Sequence, residues 1–254
     1  MTIPSRPLGE VHCVPQTYNV PTQLHAVADR YRKLRLHGLK ADPHAFSSTY
    51  ERESQFEQGQ WIARIEHPAR KTFVSVIPCK EPSVAPEIEL VLASDSSGAL
   101  GPLLQNEWTG QLTLVGPEVL AIRGDETAET TALAKPWSVF FQNEQCIPPL
   151  TPTETLDLRG AHLSYMIVGM FVSPESRRRG HGRRLIEAAV QAAREEGQTR
   201  GAASVRVVLI VEPGNDGAQK LYESTGFALW DDTVLERNSG KLSRVLAMVR
   251  EMVM

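Results

Sequence analysis

The chain of 254 residues is 41% hydrophobic and 22% charged, which is typical of a globular protein with length for one large domain or two small ones. Its formal net charge of -3 gives no global basic field, and no apolar run approaches the length of a membrane span, so neither nucleic acid nor a membrane is expected as a partner. The cysteines Cys13, Cys79 and Cys146 are widely spaced and form no metal-ligand motif, so we expect no metal and a cytoplasmic location, with the nucleus as an alternative.

The N-terminal half predicts helices followed by strands. Residues 1–20 are Pro-rich and fit either a strand or a loose segment, and Thr22 is a candidate N-cap for a helix that Asp42-Pro43 should end. A second helix is predicted over 54–66. Strands are predicted over 72–77 and 108–115, with a loop-rich stretch between them that holds a short strand over 88–92.

The C-terminal half alternates apolar strands with helices. The runs 165–172 and 205–211 are almost continuously apolar, as in central strands buried on both faces. An amphipathic helix over 183–196, ended by Gly197, lies between them. A short helix over 218–224 follows, and then two strands over 227–230 and 245–249, with a turn at 238–240 before the second.

The segment after Val172 has the composition of an anion-binding loop. A helix N-terminus offers unpaired N–H groups and partial positive charge, and Gly180 and Gly182 let a phosphate approach the backbone. Positive side chains surround these glycines: Arg177, Arg178, Arg179, Arg183 and Arg184. The pattern indicates a diphosphate site. A solvated basic turn and a cluster for nuclear targeting or nucleic acid are the alternatives.

The segment after the second apolar strand presents a tyrosine on a short helix. Asn215 can cap this helix, and Ala218, Leu221 and Tyr222 share one face at spacings of three and four. Helical spacing alone fits equally a Tyr222 that packs in the core.

Together these two segments resemble the signatures of the GNAT family of acetyl-CoA-dependent N-acetyltransferases. The matches are Arg-x-x-Gly-x-Gly over 177–182 and Asn-x-x-Ala-x-x-Leu-Tyr-x-x-x-Gly-Phe over 215–227. The resemblance implies an α/β fold in which a mixed, mostly antiparallel sheet, flanked by helices, splays between the strands at 165–172 and 205–211 and holds acetyl-CoA there. It also implies direct acetyl transfer to a primary amine, with Tyr222 as general acid for the leaving thiolate.

The resemblance also assigns the cofactor contacts. The backbone of 178–183 would bind the pyrophosphate, and a strand bulge at 171–173 would pair with the pantetheine arm. The implied cofactor-binding residues are Phe171, Val172, Ser173, Arg177, Arg178, Arg179, Gly180, His181, Gly182, Arg183, Asn215, Ala218 and Tyr222.

The catalytic base is not assigned by the sequence. Many family members carry a Glu where this chain has Met166, eleven residues before Arg177. Glu212, His162 and Tyr165 are candidates, each of which also fits a structural role, and a water chain is the alternative.

The resemblance covers about residues 22–254. It predicts a segment over 1–20 and a single domain over 21–254, with insertions at about 78–106 and 116–163. Trp137, Phe140 and Phe141 in the second insertion fit either an acceptor-pocket wall or a satellite core. The expected acceptor is a small-molecule amine, and the oligomeric state is a monomer or a homodimer. Acetylation of a protein N-terminus or lysine, and a CoA-binding sensor or partner module with little activity, are the alternatives.

Overall fold

A computed structural model describes residues 9–79, 86–95, 98–121, 157–238 and 241–254. The helices of this part are α1 Pro21–Ala41, α2 Tyr50–Glu53, α3 Gln58–Glu66, α4 Pro86–Ala93, α5 Leu100–Gln105, α6 His181–Thr199 and α7 Asp216–Ser224, with 3-10 turns at Pro43–Ala45 and Pro174–Ser176. The strands are β1 Glu10–Cys13, β2 Arg70–Pro78, β3 Asn106–Ala121, β4 His162–Val172, β5 Ser204–Val211, β6 Ala228–Asn238 and β7 Lys241–Val253. None of the helices within these residues is long and apolar enough to cross a membrane.

The strands form one mixed, mostly antiparallel sheet flanked by helices, as predicted. Its hydrogen-bonded order is β1-β2-β3-β4-β5-β7-β6. Strands β4 and β5 are parallel, and β7 pairs antiparallel with both β5 and β6. The parallel register runs from His162 opposite Ser204 to Met166 opposite Val208, although both strands continue beyond it. The ladder between the two central strands therefore ends before either strand does, and the predicted splay stays a prediction.

The described residues group into two compact units. The first takes its residues from 9–43, 48–113 and 169–185. Its core includes Trp61, fully buried in α3, whose ring meets that of Tyr31 in α1 edge-on with centroids 6.0 Å apart. An aromatic pair of this geometry fixes how α1 packs on α3.

The second unit takes its residues from 44–47, 114–168 and 186–254. Its sheet residues include one buried apolar cluster: Val115, Met166, Val208, Ala247 and Val249. The prediction of a single domain over 21–254 stays a prediction.

The helix starts in the N-terminal half differ from those predicted. Helix α1 begins at Pro21 with Val20 as its N-cap, ahead of the expected cap at Thr22, because proline fits the first helical position. The helix predicted over 54–66 begins four residues later, at Gln58, because Glu57 caps α3 in a capping box with Gln60; the separate helix α2 ends at Glu53.

The segment 78–106 holds helices where a loop and a short strand were predicted. The β-branched residues within 88–92 suggested a strand, but these residues lie in α4, which begins at Pro86 and is rich in Glu, Leu and Ala. Helix α5 follows, and the carbonyls of Leu104 and Asn106 at its C-terminal end accept hydrogen bonds from Arg30 of α1 at 2.5 and 2.8 Å.

Gly197 does not end its helix, because α6 continues to Thr199. A β-carbon at residue 197 would lie 2.3 Å from Cγ2 of Val205, so the close approach of β5 explains the glycine. The insertion residues Trp137, Phe140 and Phe141 lie outside the described residues, as do positions 239–240 of the predicted turn.

Candidate active site

The predicted anion loop joins β4 to α6 in the first unit. After the turn at Pro174–Ser176, Arg178 and Gly180 both have left-handed backbone, with φ of 63° and 79°, and α6 begins at the next residue. Left-handed residues of this kind turn successive N–H groups toward one concavity, and the helix N-terminus adds its own unpaired N–H groups. The backbone of this loop therefore has the shape of an anion cradle.

Most arginines of the loop point to solvent, where an anion can reach them. Arg178, Arg179 and Arg183 are exposed, and Gly182 lies half-buried in the first turn of α6. Arg184 folds back along the loop, with its Nη2 donating to the Arg179 carbonyl at 3.4 Å. The charge expected from the sequence therefore lies around the cradle.

Arg177 has a different environment. Its Nε donates to the Val172 carbonyl at 3.0 Å, and its Nη2 forms an ion pair with the Asp42 carboxylate at the end of α1. The guanidinium thus holds the loop to β4 and α1. Sequence reasoning missed Asp42, because 135 residues separate it from Arg177.

His181 is buried at 3% exposure rather than presented to a ligand. Its Nδ1 shares a hydrogen bond of 2.7 Å with the Ser75 hydroxyl of β2. Burial lowers the pKa of this imidazole, and the positive charges of Arg184 and Arg179 lower it further. His181 is therefore neutral at pH 7 and adds no positive charge to the cradle.

At the end of β4, successive residues turn their backbone N–H and C=O groups to opposite edges of the strand. Ser173 donates its N–H to the Thr109 carbonyl of β3 at 2.8 Å, and Phe171, two residues earlier, shares that edge. Val172 lies on the opposite edge, and its carbonyl accepts from Arg177. Of the three residues predicted to pair with pantetheine, Phe171 and Ser173 therefore face β3, and Val172 faces the opposite edge.

The irregular residue of β4 lies upstream of the predicted bulge. Gly169 has a φ of 64°, and a β-carbon there would lie 3.6 Å from Nη1 of Arg35 in α1. The Phe171 ring packs edge-on against His37, with centroids 5.5 Å apart, and rests over Gly38 of the same helix. Helix α1 therefore supports the end of β4 directly.

The predicted acid lies in the second unit, on α7. Asn215 caps this helix, its Oδ1 accepting from the Ala218 N–H at 3.2 Å, as the sequence indicated. Tyr222 is 6% exposed, its ring centroid lies 6.1 Å from that of Phe227, and burial raises its pKa to about 12. Its phenol is therefore protonated across the physiological pH range, as a proton donor requires.

The three candidate bases differ in environment. His162 is the first residue of β4, at the opposite end from the loop, and its Nδ1 bonds the Ser204 hydroxyl at 2.7 Å. Tyr165 is buried, and burial followed by the negative charge of Glu196 raises its pKa far above the ordinary value, so it stays protonated. Glu212 is half-buried directly after β5. Only Glu212 carries a carboxylate, and the base stays a prediction.

No cluster of three or more metal-ligating side chains occurs among the residues that the structure describes.

The comparison with known families identifies the segment that contains both signatures. Residues 150–227 match the model of the acetyltransferase (GNAT) family. This segment belongs to the GNAT family. It spans β4, the anion loop, α6, β5 and α7, so one family segment of the chain carries both the cradle and Tyr222.

Solved structures of GNAT proteins are similar to this chain at low identity. Arabidopsis thaliana NAA60 in complex with acetyl-CoA shares 12% identity over 96% of this chain and 99% of that chain, with a TM-score of 0.48. A GCN5-related N-acetyltransferase from Kribbella flavida shares 16% identity over 96% and 98%, with a TM-score of 0.42. A mutant of the spermidine N-acetyltransferase SpeG from Vibrio cholerae shares 14% identity over 95% and 94%, with a TM-score of 0.44. No curated protein matches the chain.

Proposed function

We propose that this protein is an N-acetyltransferase that moves an acetyl group from acetyl-CoA directly to the primary amine of a small molecule. The observation that carries the proposal is the anion cradle at 177–183 within a segment of the GNAT family. Two left-handed residues, a helix N-terminus and exposed arginines suit the diphosphate of CoA. The residues present therefore fit this cosubstrate.

The proposed reaction needs one proton donor and one proton acceptor. The amine nitrogen forms a bond to the thioester carbonyl carbon, the carbon–sulfur bond breaks, and the electron pair leaves with sulfur. Tyr222 supports that sulfur by donating a hydrogen bond from its phenol, and the amine proton leaves to Glu212 or to water. The loop backbone and its arginines bind the diphosphate, and Val172 offers a backbone N–H to the pantetheine arm.

The pKa of Tyr222 sets the size of its contribution. A phenol with a pKa of about 12 is a weak acid beside a thiol, whose ordinary pKa is about 8.5, so complete proton transfer to sulfur is uphill. Donation of a hydrogen bond to a developing thiolate remains favourable, and such bonds contribute about 1.5–3 kcal/mol. We therefore expect Tyr222 to contribute about 10- to 100-fold to turnover.

A second candidate function is CoA binding with little catalysis. The observation that favours it is Met166, which occupies the position where many family members carry a carboxylate and lies 5% exposed in an apolar cluster. A protein without a strong base would still bind CoA through its loop.

The test separates binding from catalysis. Calorimetry with CoA measures the first, and thiol release from acetyl-CoA against polyamines, amino sugars, aromatic amines, amino acids and peptides measures the second. Release with a small amine supports the enzyme and identifies the acceptor class, and release only with peptides points to a protein acceptor. CoA binding without release from any amine favours the second candidate.

The matched variants are Tyr222→Phe and Tyr18→Phe, each of which removes one phenolic hydroxyl: Tyr222 is a buried residue, and the hydroxyl of Tyr18 is buried. We expect Tyr222→Phe to lower kcat by about 10- to 100-fold while the dissociation constant of CoA changes less than about twofold. Tyr18→Phe should leave both values near those of the parent protein. An unchanged kcat in Tyr222→Phe would remove this residue from the mechanism.

A further inference from the structure

A chain of buried hydrogen bonds connects the two ends of the anion loop. Ser173 donates its N–H to the Thr109 carbonyl at 2.8 Å, and the Thr109 hydroxyl donates to the Ser75 carbonyl at 3.1 Å. The Ser75 hydroxyl shares a hydrogen bond of 2.7 Å with Nδ1 of His181. All four residues are at most 3% exposed, so water does not compete for these bonds.

This series of hydrogen bonds joins the two ends of the anion loop to the sheet. Ser173 precedes the turn at 174–176 and His181 begins α6, so the bonded residues lie at the start and at the end of the segment that forms the cradle. Thr109 and Ser75 belong to β3 and β2, which are neighbours in the sheet. The loop is therefore attached at both ends to two adjacent strands.

The His181 ring is also held by the segment before β1. A β-carbon at Gly9 would lie 2.6 Å from Cε1 and 2.9 Å from Nδ1 of His181, so the Gly9 backbone lies directly against the imidazole. The ring is thus enclosed between Ser75 and Gly9, and the charged groups that act on it are Arg184 and Arg179. Its position is fixed by the protein rather than by a ligand.

We propose that Ser75 and His181 are positioning residues that hold the anion loop in its binding conformation before the diphosphate arrives; this rests on the proposed function. A loop that binds through backbone N–H groups loses conformational entropy when it becomes ordered. Attachment at both ends removes that freedom in advance, so less of the binding free energy is spent on ordering. The buried His181 side chain acts by holding the loop backbone rather than by contacting the diphosphate.

The experiment compares a ligand that contains the diphosphate with one that lacks it. Dissociation constants of CoA and of pantetheine are measured by calorimetry, the weaker one by displacement titration, for the parent protein and for Ser75→Ala. We expect Ser75→Ala to weaken CoA binding about 5- to 20-fold and to leave pantetheine binding within about twofold. A role limited to general stability would weaken both ligands by the same factor.

The matched control breaks another buried hydrogen bond, one between two hydroxyls of the same two strands. Thr72 of β2 and Thr113 of β3 share a hydrogen bond of 3.1 Å between their hydroxyls, and both are buried. Thr72→Val should lower the Tm about as much as Ser75→Ala does, without changing the dissociation constant of CoA.

Two variants at His181 complete the test. His181→Asn places a polar atom near the position of Nδ1 and should bind CoA within about threefold of the parent protein. His181→Leu cannot form this bond and should resemble Ser75→Ala in its CoA binding. The double variant Ser75→Ala/His181→Leu should bind CoA no more weakly than either of these single variants.

The positioning role would be overturned by any one of three results. These are unchanged CoA binding in Ser75→Ala, equal losses of CoA and pantetheine binding in that variant, or an equal loss of CoA binding in Thr72→Val. A parent protein that does not bind CoA would overturn the proposed function and this inference with it. That outcome is visible before any variant is made, so the two failures are distinguishable.

Discussion

Glu53 lies in a buried network of ion pairs that joins α1, α2 and α3, and this network predicts how the loss of its charge changes the free energy of unfolding. Its carboxylate accepts from Arg35 through Nε at 3.0 Å and Nη2 at 2.7 Å, and from Nη1 of Arg64 at 2.9 Å. The Glu53 side chain is 1% exposed. Burial alone would raise the pKa of this carboxyl, but the hydrogen bonds and charges of the two arginines outweigh it and lower the pKa to about 2.

The difference between the folded and unfolded pKa of Glu53 gives the size of its contribution to stability. A pKa of about 2 in the folded protein against about 4.5 in the unfolded chain corresponds to about 3 kcal/mol of stability, at about 1.4 kcal/mol per pKa unit. Because the folded pKa is the lower one, this contribution is complete above about pH 5 and is lost as the pH falls toward 2. About 2 kcal/mol of it should be lost between pH 7 and pH 3.

Glu53→Gln tests this directly, because it keeps the shape and removes the charge. It leaves Arg35 and Arg64 without their carboxylate, so we expect a loss of about 3–5 kcal/mol in the free energy of unfolding at pH 7. The measurement is urea unfolding at pH 7, 5, 4 and 3. The difference from the parent protein should narrow as the pH falls.

The control is Glu51→Gln, since Glu51 is an exposed carboxylate on the same helix, α2. Its unfolding free energy should stay within about 0.5 kcal/mol of the parent value at pH 7. A Glu53→Gln protein as stable as this control, or one whose deficit stays constant from pH 7 to pH 3, would refute the assigned pKa and its cause.

Two further predictions concern the helix ends. Gly197→Ala should destabilise the protein by about 1–3 kcal/mol despite the better helix propensity of alanine, because the new methyl group overlaps Val205; a Tm at or above that of the parent protein would contradict the contact. Asp42→Asn keeps a side-chain oxygen that can accept from Arg177 but removes the negative charge, so the loop stays attached and CoA binding should tighten up to about fivefold at low salt, with the gain lost at high salt; weaker binding in calorimetry at either salt concentration would argue against this.

The features predictable from the sequence are those that neighbouring residues determine. The apolar runs of β4 and β5, the amphipathic α6 and the cap at Asn215 depend on periodicity and short-range hydrogen bonds. The cradle is equally local, because Gly180 supplies the left-handed backbone within the loop itself. The boundary errors also have local causes, since Pro21 and Pro86 begin helices where apolar spacing and β-branched residues pointed elsewhere.

The contacts that hold the loop could not be predicted, because they join residues far apart in the chain. Ser75 lies 106 residues from His181, and neither residue carries a sequence pattern that names the other as a partner. Gly197 shows the same limit: as a sequence position it resembles a helix terminator, and only the path of β5 shows that it is needed for packing. Periodicity describes one element at a time, and these residues act between elements.

The environment of Met166 determines where a base can lie. Met166 packs with Val115 and Val208 and is 5% exposed, so a carboxylate in its place would be desolvated and its pKa raised. In this chain the position is occupied by a methionine that serves packing. The proposed base therefore comes from elsewhere, either from water or from a carboxylate that keeps contact with water. Glu212 meets this condition, because it is half-buried and follows β5 directly, three residues before the Asn215 cap of the helix that carries Tyr222.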